Sequence, residues 1–205
     1  MIIETGFEQN TDAWFDAKAG VPSSSHYDEI VTTKGEPSKS AEAYMHKLAG
    51  EHIVGIDQDG YMSWDMKRGL EMQPKAERFF EYTHGVKLDH PAMCYLDERK
   101  DRLCSPDGLL PEIGLEIKCP KMHTHVGYLM AGVLPYKYFQ QVHGSMYITG
   151  YSHWWFMSFY PDLPPFEIKV RRNEKFISAL AKELDKFVDE LVKTIRKLKE
   201  AADGR

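Results

Sequence analysis

The sequence predicts an α+β fold in which a central mixed β-sheet is flanked by helices. Three observations carry that reading. Apolar residues recur at helical spacing through most of the first 85 residues, and residues 92–118 break into short segments divided by turn residues. The end of the chain is one long amphipathic repeat. Helices, then strands, then a helix, two strands and a helix is an order that packs helices against one mixed sheet. With 205 residues, 42% hydrophobic and 28% charged, residues 1–205 read as one domain that closes a core without disulfide or metal staples.

Taken in order, Thr11 or Asp12 caps a short helix carrying Trp14, Phe15 and Lys18. Pro22 and three serines form a loop leading into a second helix, and polar residues 32–40 form another loop. Ser40 starts a helix through Ala43, Tyr44 and Leu48, which residues 55–60 interrupt. Met66, Leu70, Ala76, Phe79 and Phe80 predict a helix over 63–82, with Gly85 as terminator. Segments 92–96, 102–104, 108–110 and 114–118 read as an antiparallel meander. Residues 127–131 and 135–148 read as helical, and 154–160 and 166–170 as strands. Over 174–201, Phe176, Leu180, Leu184, Phe187, Leu191, Ile195 and Leu198 follow at three- and four-residue steps, with charges between them.

Several function classes fall away. No run of 18 apolar residues is present, so no membrane helix is expected. The first residues lack the basic and apolar stretches of an export signal, and Cys94, Cys104 and Cys119 lack C-x2-C spacing. They read as reduced thiols in a cytoplasmic protein. A net charge of -5 offers no general attraction to nucleic acid, so a nucleic-acid role requires a local site.

Asp107, Glu116 and Lys118 supply a candidate. On a strand Glu116 and Lys118 project to one face while Leu115 and Ile117 project to the other. The turn at 111–114 brings Asp107 alongside Glu116. Two carboxylates meeting on a sheet face repel each other unless a cation lies between them, and hard Mg²⁺ suits an all-oxygen site, with Mn²⁺ able to substitute. Lys118 then orients water, stabilises developing charge, or acts as a base if its pKa is depressed. Such a set makes a phosphodiester hydrolase. The plainer alternative is a turn aspartate and a solvated Glu–Lys pair. The apolar neighbours Leu115, Ile117, Cys119 and Pro120 favour a central strand and hence the functional reading.

The stretches CSPDG (104–108), GLEIKCP (114–120) and QQVHGSMYITG (140–150) resemble the phage lambda exonuclease family. These YqaJ-like viral alkaline exonucleases belong to the PD-(D/E)XK nuclease superfamily, with a restriction-endonuclease-like core. The likeness runs from about Trp14 to the C-terminal helix, with its motifs in the same order. It implies that Asp107 and Glu116 bind metal together with the backbone carbonyl of Ile117, that Lys118 is the catalytic lysine, and that Gln141 flanks the active site. The family pattern W-x3-R-x-G followed by a serine loop reads here as Trp14, Lys18, Gly20 and Ser25. Lys18, Ser25 and Ser105 therefore match a pocket for a terminal 5′-phosphate, with lysine replacing the two-pronged arginine. Where the family places a helix glutamate, this chain has Gln73. Gln73 is expected to support the metal shell, with Glu71 as backup and Glu77 one helical turn on.

The resemblance implies Mg²⁺-dependent digestion of one strand of linear double-stranded DNA from its 5′ end, releasing mononucleotides. It also implies a homotrimeric ring around DNA and a single-strand annealing protein as partner. The setting is the cytoplasm of a bacterial host, with a phage or prophage origin. A structure-specific endonuclease on the same core and a non-catalytic DNA-binding module with a decayed metal site are the alternatives. His123, His125 and His143 with Cys104 and Cys119 have poor spacing for zinc. Trp154, Trp155, Phe156, Phe159 and Tyr160 read as buried sheet before base-stacking groups, and Lys169, Arg171 and Arg172 as a solvated run.

Overall fold

The computed structural model describes residues 1–56 and 64–203, with the side chains of residues 64–66 also outside the description. The helical periodicities form helices. The Thr11 hydroxyl caps α1 (Asp12–Lys18), accepting from the Trp14 N–H at 3.4 Å. The serine loop is a 3₁₀ turn (Ser24–His26) running into α2 (Tyr27–Ile30), and Ser40 precedes α3 (Ala41–Val54). The helix expected over 63–82 is α4 (Trp64–His84). Its expected start at Ser63, the Met66 side chain and the break at 57–60 lie outside the described residues.

The stretch expected as one meander is divided between two sheets. β2 (Met93–Tyr95) and β3 (Leu103–Cys104) pair antiparallel and join β1 (Ile2–Glu4), a strand the sequence did not predict. β4 (Gly108–Leu110) pairs instead with β5 (Ile113–Lys118). β5 runs parallel to β6 (His153–Ser158), and β7 (Phe166–Arg171) closes this mixed four-stranded sheet. The division falls at Ser105 and Pro106. Proline has no N–H to give a ladder, so the chain leaves one sheet after Cys104. It resumes pairing at Asp107, whose N–H donates to Leu115 O at 3.2 Å.

A parallel pair needs a long crossover. Here α5 (Met122–Ala131), a 3₁₀ turn (Tyr136–Tyr138) and α6 (Phe139–Thr149) supply it. The helix expected over 135–148 thus begins as a 3₁₀ turn. Val142, Met146 and Ile148 of α6 pack with Trp154 and Phe156 of β6, and Leu180, Leu184 and Leu191 of α7 (Glu174–Asp203) complete this core. A Cβ on Gly144 would lie 2.4 Å from the Tyr27 ring. Only glycine there lets the serine turn lie against α6, where Ser145 Oγ donates to Ser24 Oγ at 3.1 Å. A second cluster joins Ala76 and Phe80 of α4 to Leu115, Ile117 and Met157 on the opposite sheet face.

Candidate active site

β5 lies between β4 and β6, and its alternation separates the two faces as the sequence predicts. Leu115 and Ile117 join the α4 cluster, whereas Glu116 and Lys118 face α6. Glu116 is only 3% exposed. Its Oε1 lies 2.6 Å from Lys118 Nζ and accepts from Gln141 Nε2 at 2.7 Å. A carboxylate withdrawn from water this far needs such partners. Gly108 stands opposite Leu115 in the β4–β5 register, so Asp107 comes opposite Glu116 one step further. Asp107 Oδ2 accepts the Ile117 N–H at 2.6 Å, and Oδ1 accepts from Gln73 Nε2 at 3.1 Å. The same Gln73 nitrogen donates to Glu77 Oε1 at 3.0 Å.

Burial, and then the charge of Glu116, push the Asp107 carboxyl up to about 8, while Lys118 and the Ile117 N–H pull the other way. Burial also works against the Lys118 ammonium, but Glu116 and Asp107 together outweigh it and hold its pKa above that of an ordinary lysine. Lys118 is therefore protonated at neutral pH in the metal-free protein. A charged ammonium suits orientation of water and stabilisation of developing charge, and the depressed pKa that a base role requires is not what Glu116 and Asp107 impose on it. The Tyr138 ring lies 5.2 Å from its Nζ, a cation–π contact on the cavity wall.

With all three groups ionised, Asp107, Glu116 and Lys118 leave one surplus negative charge. Among the described residues no group of three or more His, Cys, Asp or Glu side chains gathers to hold a metal. A cation here would rest on two carboxylates plus backbone or water oxygen, a donor set that fits a hard divalent ion. The repulsion that lifts Asp107 is what such an ion would relieve.

A cavity of about 190 Å³ joins the two predicted subsites: Lys18, Ser25 and Ser105 line it together with Gln73, Asp107, Glu116, Lys118 and Gln141. Ile117 lines the adjoining cavity of about 710 Å³, which shares Lys18, Gln73, Asp107 and Lys118. Lys18 Nζ sits 4.4 Å above the Trp14 ring, and burial lowers its pKa to about 8 against the pull of Glu51. Ser105 Oγ is buried without a partner, a hydroxyl free to serve an anionic ligand. Ser25 is exposed, with its Oγ 3.2 Å from Ser23 Oγ.

Other candidates separate. Glu71 is exposed and lines neither cavity; Glu77, linked through Gln73, is the nearer acid. The zinc set is dispersed: His125 bonds Ser158 Oγ and Pro164 O, and the His143 ring packs between Phe139 and Phe176. Trp154 and Phe156 are core, and Arg172 donates to Met146 O and Glu174. Gln9, Asn10 and Tyr138 were not foreseen at the cavities. Tyr138 had a signal, since it precedes Gln141 by three residues in a helical stretch. Gln9 had none, because its partners are 82 and 97 residues away.

A family model described as the YqaJ-like viral recombinase domain matches residues 13–152. The crystal structure of an alkaline exonuclease, LHK-Exo from Laribacter hongkongensis, aligns with a TM-score of 0.84 at 26% identity, covering 95% of this chain and 99% of that one. The same values hold for LHK-Exo in complex with dAMP. A phage-related exonuclease from Haemophilus somnus 129PT has a TM-score of 0.64 and 14% identity over 84% of this chain and 95% of its own, a likeness of fold. No curated protein sequence gives a significant match.

Proposed function

The chain belongs to the YqaJ-like viral recombinase domain family, and from that membership we propose that it is a Mg²⁺-dependent deoxyribonuclease digesting one strand of linear duplex DNA from its 5′ end. One observation carries the reading. The Asp107–Glu116–Lys118 cluster and the Lys18–Ser25–Ser105 group line a single cavity. A phosphate held at one end therefore sets a phosphodiester against the other.

Asp107 and Glu116, with the Ile117 carbonyl, would hold the divalent ion, Mg²⁺ or Mn²⁺. When bound, that ion supplies Lewis-acid stabilisation of the charge building on the phosphate oxygens. Lys118 brings a fixed positive charge to the same phosphate and orients the attacking water. Gln141 holds Glu116, and Gln73 holds Asp107, so both carboxylates keep their directions. Lys18 and the unpartnered Ser105 hydroxyl, with Ser25, receive the terminal 5′-phosphate. Lys18 does so as a point charge, without arginine's two-pronged grip.

The reading extends to one domain over residues 1–205, a homotrimeric ring around the duplex, and a single-strand annealing protein that receives the 3′ overhang. Family membership supports these three. A viral family fits a phage or prophage origin and work in the bacterial cytoplasm, and no helix among the described residues is long and apolar enough to cross a membrane.

Linear duplexes labelled at one or the other 5′ or 3′ end, incubated with Mg²⁺ or with EDTA, test the proposal. Release of mononucleotides from 5′-phosphorylated ends in Mg²⁺ alone is expected, with covalently closed circles intact. Cutting of closed circles would favour an endonuclease, and absence of any cleavage would favour a DNA-binding module.

A further inference from the structure

The segment before α1 crosses the connection between the two sheets, and Gln9 fastens it there. Its Nε2 donates to Pro91 O at 3.1 Å and to Pro106 O at 2.8 Å. A carboxamide nitrogen carries two hydrogens, and both are used. The Pro91 end is itself anchored: Trp14 Nε1 donates to Ala92 O at 3.1 Å, and the Ala92 N–H donates to Glu4 O at 2.9 Å. Pro106, by contrast, lies in the stretch that has left one sheet and not yet joined the next. Its neighbours are Ser105, whose buried hydroxyl has no partner, and Asp107. Gln9 lines the 190 Å³ cavity with both of them.

Asp107 is held from its far side by β5, through its N–H on Leu115 O and its carboxylate on the Ile117 N–H. The Gln9 bond to Pro106 O holds the near side. Asp107 O also lies 3.1 Å from His90 Nδ1, and Gln73 holds the Asp107 side chain, but among these contacts only the Gln9 bond acts on the carbonyl of Pro106, between the Ser105 and Asp107 side chains. We infer that Gln9 is a positioning residue, which sets the Ser105–Asp107 connection so that the aspartate meets Glu116 and the serine faces the phosphate end of the same cavity. The inference rests on the nuclease reading and adds a residue to it.

Gln9→Met keeps the length and removes the donor. Its expected signature is a loss of about 10- to 100-fold in Mg²⁺ affinity by calorimetry and in kcat, the range typical for groups that orient metal-binding side chains. KM for the duplex stays close to wild type, and the preference for 5′-phosphate over 5′-hydroxyl ends weakens. Glu8→Ala, on the same segment, serves as the control and should match wild type throughout. If Gln9→Met fails to fold, Gln9→Asn, one methylene short of its partners, is read in the same assays. Wild-type Mg²⁺ affinity and kcat in the variant overturn the inference, as does a loss confined to KM or one matched by Glu8→Ala. A wild-type chain that neither binds Mg²⁺ nor digests DNA overturns the nuclease reading, and the inference with it.

Discussion

Replacing Asp107 by asparagine keeps the shape of the side chain and removes its charge. The carboxyl is pushed up to about 8 by burial and by Glu116, so between its ordinary range and pH 8 the folded chain keeps a proton that the unfolded chain has released. Stability therefore falls as pH rises through that window and levels off above it. A tenfold displacement of an acid's ionisation is about 1.4 kcal/mol, so moving it from 3.8 to about 8 sets a ceiling of roughly 6 kcal/mol. Water reaching this half-buried group and its coupling to Glu116 and Lys118 reduce the expected effect to about 2 kcal/mol. Asparagine lacks that dependence but turns an NH₂ toward Gln73 or gives up the Ile117 bond, a pH-independent cost of about 1 kcal/mol. The assay is thermal melting of both proteins in EDTA from pH 5 to pH 9. For a chain of this size about 1 kcal/mol shifts the melting temperature by roughly 2–4 °C. The variant should gain about 4–8 °C on the wild type across the window, starting below it and ending above it. Histidines and exposed acids titrate in both proteins and cancel in the difference. A constant gap from pH 5 to pH 9 would refute the claim that Asp107 is held against an unrelieved negative neighbour. Mg²⁺ at pH 8 should then raise the wild-type melting temperature and leave the variant's unchanged.

Lys118→Met is expected to slow digestion by about 100-fold or more while calorimetry shows Mg²⁺ affinity retained, because in the proposed mechanism the lysine acts on the phosphate and the water; hydrolysis at the wild-type rate would remove it from that mechanism. Ser105→Ala should cut the preference for 5′-phosphorylated over 5′-hydroxyl ends by about tenfold, the loss of one hydrogen bond to a charged group. Lys18→Arg should strengthen that preference, and competition between the two duplex ends reads both. At Gly114 a Cβ would lie 2.2 Å from the Trp154 ring, so Gly114→Ala should destabilise by about 1–3 kcal/mol through overpacking. An unchanged melting temperature there would mean that β5 and β6 are not seated against each other as described.

The parts of the site that lie on regular elements were legible from local pattern. Period-two alternation placed Glu116 and Lys118 on one face of β5 and Leu115 and Ile117 on the other, and the three- and four-residue repeat gave α7. What local pattern does not encode is which strands pair. The segments at 102–104 and 108–110 look like neighbours in a meander because they are close in sequence, yet they belong to different sheets. The signal for that was Pro106, a residue unable to continue the ladder. The contacts of Gln9 lie further still from local reading, since nothing near it in sequence reveals two carbonyls 82 and 97 residues on.

The division between the sheets also explains why the two acids differ. Glu116 sits within β5, opposite Phe156 of β6, where Lys118 balances its charge and Gln141 donates to it. Asp107 stands at the first residue after a break, where the chain has freedom to turn a carboxylate toward Glu116. Ser105, two residues earlier, lines the same cavity from this irregular connection, which side chains hold in place. Gln73 from α4 grips the Asp107 side chain and Gln9 from the N-terminal segment grips the preceding carbonyl. Both are neutral amides, so they fix the connection without cancelling the negative charge that a divalent ion would meet there. An overall charge of -5 is compatible with the proposed site, because attraction for a phosphate at this range would be set by Lys18, Lys118 and a cation held there, within a Debye length, not by the distant exterior.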